Sequence, residues 1–297
     1  MDTFQVAAGS ILGRDHLLIG KNNQDAYRIV QDSEHLVAIV CDGCGSSPYT
    51  EVGAQIGARL IANEIHQLLQ MPRWSQPWKK AGPHSADPAL DPAQLARINA
   101  LLERVKADVL AEIRLLAKGM GDDFTKVVED YFLFTVVGAV VTPAITFFFH
   151  LGDGVIKVNG RSLPLAGSIA QNAPTYLAYN LVNSEANTEL VFRLPLIEDK
   201  RAAIFATFET QSFLIGSDGV GDLENAASKN IPGRDVHVGE LSQLWTQDRF
   251  FQNPDNVRRH LSLINREVTK PNWENEILER ETGHLRDDTT LIVARRK

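Results

Sequence analysis

Apolar residues recur along this chain with two periods. Short runs bounded by Gly, Asn, Asp or Ser suit strands: Phe4 to Leu12, Asp25 to Gln31, His35 to Cys41, Tyr131 to Val141, Ile145 to Leu151, Val155 to Val158, Ala203 to Thr207 and Phe213 to Gly216. A further apolar strand closes the chain at Leu291 to Ala294, and Glu189 to Leu194 reads as one more short strand. A helical period governs other stretches. Val52, Ile56, Leu60, Ile65 and Leu69 share one face of a helix that Ser46 or Ser47 can cap, with Pro48 in its first position. Leu95, Ile98, Leu102, Val105, Val109, Ile113 and Leu116 form a second stripe, opened by Asp91-Pro92. Helical signal returns around Val238 to Trp245 and Asn256 to Glu267, whereas Gly119 to Asp130 reads as a polar connection.

The longest apolar run, Phe132 to Leu151, raises the question of a membrane span. It is rich in β-branched and aromatic residues and is interrupted by Gly138 and Thr142-Pro143, so two strands paired around Thr142-Pro143-Ala144 explain it better. Met71 to Pro92 holds five prolines with Trp74 and Trp78 and reads as a loop whose aromatic residues pack it. Between Leu163 and Ala203, Asn172-Ala173-Pro174 and Asn183 to Asn187 mark turns. No repeat and no clean linker divides the chain, so residues 1–297 are expected to form one domain.

Three of the apolar runs end in the same way. His35 to Cys41 runs into Asp42-Gly43, Ile145 to Leu151 into Gly152-Asp153-Gly154, and Phe213 to Gly216 into Ser217-Asp218-Gly219. Each delivers a carboxylate to a strand end beside a glycine that lets a ligand or backbone approach. Arg286-Asp287-Asp288 leads into the last strand, and Asp25 begins an early one. Converging carboxylates repel one another unless cations neutralise them, so the pattern points to hard divalent metals.

Composition narrows the function. With 37 acidic and 30 basic residues the formal net charge is −7, which gives no footprint for a nucleic-acid backbone. The N-terminus lacks a basic segment followed by an apolar core, so no signal peptide is evident and a cytoplasmic location is expected. The two cysteines, Cys41 and Cys44, form a Cys-x-x-Cys. A second pair that would complete a zinc site is missing, and Cys41 closes a strand rather than opening a helix; a buried small hydrophobe beside an incidental thiol is the simpler reading.

The ordered set Asn23-Gln24-Asp25-Ala26, Asp42-Gly43-Cys44-Gly45-Ser46, Gly152-Asp153-Gly154, Ser217-Asp218-Gly219-Val220 with Asp222, and Asp287-Asp288-Thr289-Thr290 resembles the successive motifs of the metal-dependent type-2C serine/threonine protein phosphatases, in their divergent bacterial branch. The resemblance spans nearly the whole chain. It implies an α+β fold: a β-sandwich of two antiparallel sheets flanked by pairs of helices, four layers in all. It also implies two Mn²⁺ or Mg²⁺ ions at one end of the sandwich, with a third, weaker ion. In that frame Asp42 matches the bridging carboxylate and the Gly43 carbonyl a backbone ligand. Asp218 and Asp287 match the other carboxylates of the first ion, Asp153 and Asp222 the residues of the third, and Asp25 an acid acting through a water.

Two ions sharing a water lower its pKa and hold it in line with a phosphoryl group, so no protein nucleophile is needed. The chain departs from the family at three places. Gln24 replaces a Glu that ligates the second metal, Cys44 a His proposed as general acid, and Gly20 an Arg that binds phosphate; His16, Lys21 or Arg14 are the candidates to replace the Arg, with His16 and Lys21 the expected phosphate contacts. The expected activity is hydrolysis of phosphoserine or phosphothreonine in a phosphoprotein, opposing a Ser/Thr kinase. The alternatives are an inactive phosphatase-fold module that binds a partner and, more distantly, a two-metal nuclease, which would need a basic groove.

Overall fold

The computed structural model describes residues 4–74, 92–165, 175–182, 190–197 and 202–297. In chain order the strands and helices are β1 (Phe4–Ile11), α1 (Arg14–Leu18), β2 (Asp25–Gln31), β3 (Leu36–Gly43), α2 (Thr50–Gln70), α3 (Pro92–Met120), α4 (Phe124–Tyr131), β4 (Phe134–Val141), β5 (Ile145–Leu151), β6 (Val155–Val158) and β7 (Arg161–Ser162). They continue with α5 (Tyr179–Val182), β8 (Ile204–Ala206), β9 (Ser212–Gly216), α6 (Val220–Asn225), α7 (Gln243–Thr246), α8 (Arg249–Gln252), α9 (Asn256–Ile264), β10 (Val268–Asn272), β11 (Ile277–Glu281) and β12 (Thr289–Arg296).

The strands form two antiparallel five-stranded sheets, ordered β1-β12-β9-β6-β7 and β2-β3-β4-β5-β8, plus the separate hairpin β10-β11. Alternation along the central strands sorts their side chains into layers. In β3, Leu36, Ala38 and Val40, together with Phe148 of β5, face the other sheet, where Phe213, Ile215 and Ile292 complete an inter-sheet core. Val37, Ile39 and Cys41 face the opposite way, into a second core with α2 and α3. Leu291 and Val293 of β12 likewise turn outward, toward Val257, Leu261 and Ile264 of α9. The order is therefore helices, sheet, sheet, helices; α2 and α3 cover one sheet, and α9 with the short helices α6 to α8 covers the other.

Several boundaries differ from the sequence reading. The run from Phe132 does form the hairpin β4-β5, closed by Thr142, whose hydroxyl accepts from Ile145 N at 3.0 Å and donates to Ile145 O at 2.9 Å. Among the described residues no helix is long and apolar enough to cross a membrane. Helix α2 starts at Thr50 with no side-chain cap, and its buried face is Gly53, Ala54, Gly57, Ala58, Ile61 and Ile65, while Val52 is exposed. Small residues win there because α2 lies close against Tyr131 and Phe134. The Gly119–Asp130 connection contains α4, N-capped by Asp123, which accepts from Lys126 N at 3.0 Å. The helical signal at 238–245 shrinks to α7, and Arg193 makes only an isolated bridge to His150. Trp74 is buried in the core under α2 and α3; Trp78 and the turns at 172–174 and 183–187 lie outside the described residues.

Candidate active site

Two strand pairs, one from each sheet, bring the carboxylates to one end of the sandwich. In the β2-β3 ladder Asp25 lies directly opposite Asp42. In the other sheet β9 and β12 are neighbours, with Leu291 opposite Gly216. Asp218 thus leaves the end of β9 beside Asp287 and Asp288, which lead into β12; Ser217 N donates to Thr290 O at 2.9 Å. The two sheets are tied across the site itself: the Ser217 hydroxyl donates to Asp25 Oδ2 at 2.7 Å.

The glycines beside these acids serve two purposes. Gly43 and Gly219 have ordinary backbone angles, but a Cβ on Gly43 would sit 2.7 Å from the Gln24 carbonyl oxygen and one on Gly219 would collide with the Asp288 carbonyl. Gly152 and Gly154 instead have φ of 88° and 132°, the left-handed range, and turn the chain so that Asp153 faces the same site.

Electrostatics records the crowding. Burial first, and then the charges of Asp288 and Asp218, push Asp25 up to about 8. Asp42 is raised well above the usual carboxylate range by burial, by Asp25 and by Asp218, with which it shares a hydrogen bond. Asp218 opens onto a cavity, yet the surrounding walls strip enough water, with Asp287 next, to raise it to about 6. Burial raises Asp153 as well, with Asp287 adding to it.

Among the described residues two buried side-chain oxygens have no hydrogen-bond partner: Asp25 Oδ1 and Gln24 Oε1. Gln24 is held by its amide nitrogen, which donates to Thr50 Oγ1 at 2.7 Å and Ser47 O at 3.1 Å. The Thr50 hydroxyl in turn donates to Cys44 O at 3.0 Å, so the start of α2 and the 44–49 loop grip the glutamine from one side and leave its carbonyl oxygen unclaimed.

The remaining sequence candidates separate. His16 lines a cavity of about 310 Å³ with Asp218, Asp222, Arg286 and Asp287, its Nδ1 3.0 Å from Asp288 Oδ2 and 4.0 Å from Asp287 Oδ1. His16, Asp287 and Asp288 each offer an atom within 4.8 Å of the others, a spacing that could hold a cation. Lys21 is turned away, donating to the Gly45 and Ser47 carbonyls. Asp222 Oδ2 accepts from Arg286 N at 2.7 Å and so anchors the backbone that presents Asp287.

Cys41 is fully buried, and burial pushes its thiol up. Cys44 reaches the edge of the site; burial alone would raise its thiol, but hydrogen bonds with Ser46 and Tyr176 hold it below the ordinary value. Sequence reading missed Thr50 and Tyr176 and gave Ser217 and Asp288, though inside its motifs, no role. Asp288 is 3% exposed and accepts from Gly13 N at 2.7 Å and Gln24 N at 2.6 Å, pinning the last strand to both early segments.

A family model described as protein phosphatase 2C matches residues 12–246. Among solved structures, the fold is similar to that of a point variant of a bacterial serine phosphatase, at 13% identity over 100% of both chains with a TM-score of 0.52. The catalytic domain of the serine threonine protein phosphatase PstP, solved with two manganese ions, matches at 15% identity over 99% of this chain and 98% of that one, TM-score 0.49. The Staphylococcus aureus serine/threonine phosphatase Stp1 matches at 14% identity over 98% and 94%, TM-score 0.46. A search of curated proteins finds no match.

Proposed function

The chain belongs to the protein phosphatase 2C family, and we propose that its carboxylate cluster is the metal centre of a serine/threonine phosphatase that hydrolyses phosphoserine and phosphothreonine in proteins. The observation that carries this reading is the meeting of Asp25, Asp42, Asp218 and Asp287 from both sheets, with the carboxyls of Asp25, Asp42 and Asp218 raised by burial and by one another. Oxygen-only donors, two of them orphaned in the interior, suit Mn²⁺ or Mg²⁺.

Asp42, the Gly43 carbonyl, Asp218 and Asp287 are the groups that would hold the ions, Asp42 lying centrally between Asp25 and Asp218. Gln24 offers Oε1 where the family's glutamate would stand, a neutral oxygen in place of a charged one. Asp153, on the Asp287 side of the cluster, and Asp222 are the residues for a third, weaker ion. When bound, the ions supply charge neutralisation for the phosphoryl oxygens and a water of lowered pKa.

The chain's own groups do the rest. Asp25, its Oδ2 fixed by Ser217, keeps Oδ1 free to orient the attacking water. His16, at the cavity wall, is placed to donate to a phosphate oxygen, and Lys21 holds the Gly45–Ser47 loop that frames Gln24. The substrate is a phosphoprotein, a target of a Ser/Thr kinase in the same, cytoplasmic, compartment, and residues 1–297 act as one catalytic domain.

The test is phosphate release from a phosphothreonine peptide with Mn²⁺, with Mg²⁺ and with chelator. Release that requires metal and falls about a thousandfold or more in Asp42→Asn, several kcal/mol of lost charge stabilisation, is the expected result. No release at any metal concentration, with metal binding still detected calorimetrically, would favour the inactive binding module.

A further inference from the structure

Beside the carboxylate cavity lies a second one, of about 400 Å³, lined by Arg14, Lys229, His284 and Arg286, with Glu281 and Asn230 among its other walls. In a chain of net charge −7, the gathering of Arg14, Lys229 and Arg286 next to an acidic centre stands out. Resting on the phosphatase reading above, we propose that this cleft is a subsite for an anionic side chain flanking the target residue, so that the preferred substrates are phosphoproteins with acidic or multiply phosphorylated segments.

Continuity is the first argument. Arg286 lines both cavities and directly precedes Asp287, so a peptide with its phosphate over the carboxylates enters the basic cleft as it leaves. Charge balance is the second. Arg14 and Arg286 share one carboxylate, Asp15, at 3.3 and 3.1 Å. Glu281 is already matched by Lys270 at 3.0 Å and by Gly233 N at 2.6 Å. The Lys229 ammonium has no acceptor among the described residues, and Lys229 is exposed. Two uncompensated positive charges therefore face the cleft.

The walls are also fixed. Arg14 Nη1 donates to Gly283 O at 3.1 Å, His284 Nε2 lies 2.8 Å from Asn230 O, and Arg266 clamps Pro232 O with two donors at 2.8 and 2.6 Å. Pre-set donors lose little entropy when an anion arrives. One wall is the end of β11, part of a hairpin whose strands are almost wholly exposed and add little to any core, so the hairpin's contribution is this wall.

The experiment uses the full chain with Mn²⁺ and phosphothreonine peptides of one length whose flanks carry alanine, glutamate or phosphoserine. The glutamate and phosphoserine peptides should each exceed the alanine peptide in kcat/KM by about tenfold, through KM, as expected for two solvent-accessible cations on one anion. Comparing the two anionic arms decides between a carboxylate and a second phosphate as the natural occupant. Lys229→Glu should collapse the ratio toward one and Lys229→Arg should retain it. The same peptides, fluorescently labelled, are titrated into Asp42→Asn by anisotropy. If nothing is hydrolysed, the phosphatase reading fails, while this binding order still decides the subsite. Equal KM and equal anisotropy for acidic and neutral peptides, or a preference that survives Lys229→Glu, would overturn it.

Discussion

The hairpin β2-β3 carries aspartates at both ends, and they behave in opposite ways. At the turn, Asp32 accepts from the backbone of Glu34 and His35 at 2.7 Å each and lies 2.7 Å from His66 Nε2. Burial works against its charge, but those hydrogen bonds hold its carboxyl far below the usual range. At the open end, Asp25 and Asp42 face each other with one hydroxyl donor between the sheets, and both are raised. One aspartate has what it needs to stay ionised; the others require something from outside. The contrast separates a turn that builds the fold from the carboxylate cluster that we propose binds cations.

Substitution is the strongest way to break that contrast. Asp42→Asn should abolish metal-dependent turnover while raising the melting temperature of the metal-free protein, because one of the crowded charges is gone. Asp32→Asn should do the reverse: its Oδ1 can still accept from Glu34 and His35, but the charge and the Oδ2 acceptor facing His66 are lost, costing about 1–2 kcal/mol in denaturant unfolding and leaving turnover near wild type. A metal-free Asp42→Asn protein less stable than wild type would sink the crowding argument.

The pH dependence sharpens it next. A carboxyl whose folded pKa is raised leaves the fold unpenalised below its unfolded value near 4 and costs stability as pH climbs to the folded value. Asp218, at about 6, and Asp25, at about 8, define that window. The metal-free melting temperature should therefore drop by about 5 °C between pH 4.5 and 8. Saturating Mn²⁺ should restore more at pH 8 than at pH 5.5, because protons compete for the same oxygens. Scanning calorimetry with and without chelator checks both; a metal-free protein that gains stability over this range contradicts the site.

What the sequence disclosed followed the same division. The Asp-Gly endings of Asp42 and Asp218 and the β2-β3 pairing were legible because a strand, its end and the next turn are local features. Helix α4 was missed because a capping Asp123 and a stripe of Phe124, Val127, Val128 and Tyr131 fit within eight residues of a polar stretch. The buried face of α2 was misjudged because contact with Tyr131 and Phe134 selects glycine and alanine over the larger residues that pattern reading favours. The hairpin β10-β11 has no apolar alternation to announce it, being exposed on both faces. Ser217 on Asp25 and Asp288 on Gly13 and Gln24 are pairings across 192, 275 and 264 residues, which only the packed sheets reveal.

Gln24 gives a finer test, between the fully supplied and the unsupplied carboxylate. Its amide nitrogen is satisfied and its carbonyl oxygen is not, so on the proposed reading a second metal would meet a neutral donor there. Gln24→Glu adds a charge at that position and should tighten Mn²⁺ at the second site by about tenfold, read by calorimetric or electron paramagnetic titration rather than by rate. It should also make the metal-free protein less stable at pH 8, since one more carboxylate joins the cluster. Unchanged affinity would place Gln24 outside the metal's reach and leave its amide a support for Thr50 and Ser47 alone.

The smallest effect concerns the cysteines. Cys41 sits opposite Ala26 in the ladder, wholly buried, and Cys44 touches Ser46 and Tyr176 at the rim. Cys41→Ala removes one buried sulfur and should cost about 1 kcal/mol of stability without altering turnover. Cys44→Ser preserves a hydroxyl-sized hydrogen-bonding group toward Ser46 and Tyr176, so kcat should stay within about threefold of wild type, less than 1 kcal/mol in the barrier. A loss of a hundredfold in Cys44→Ser, recovered in Cys44→His, would instead make this rim position the source of the proton for the leaving hydroxyl, and the thiol a working part of the site.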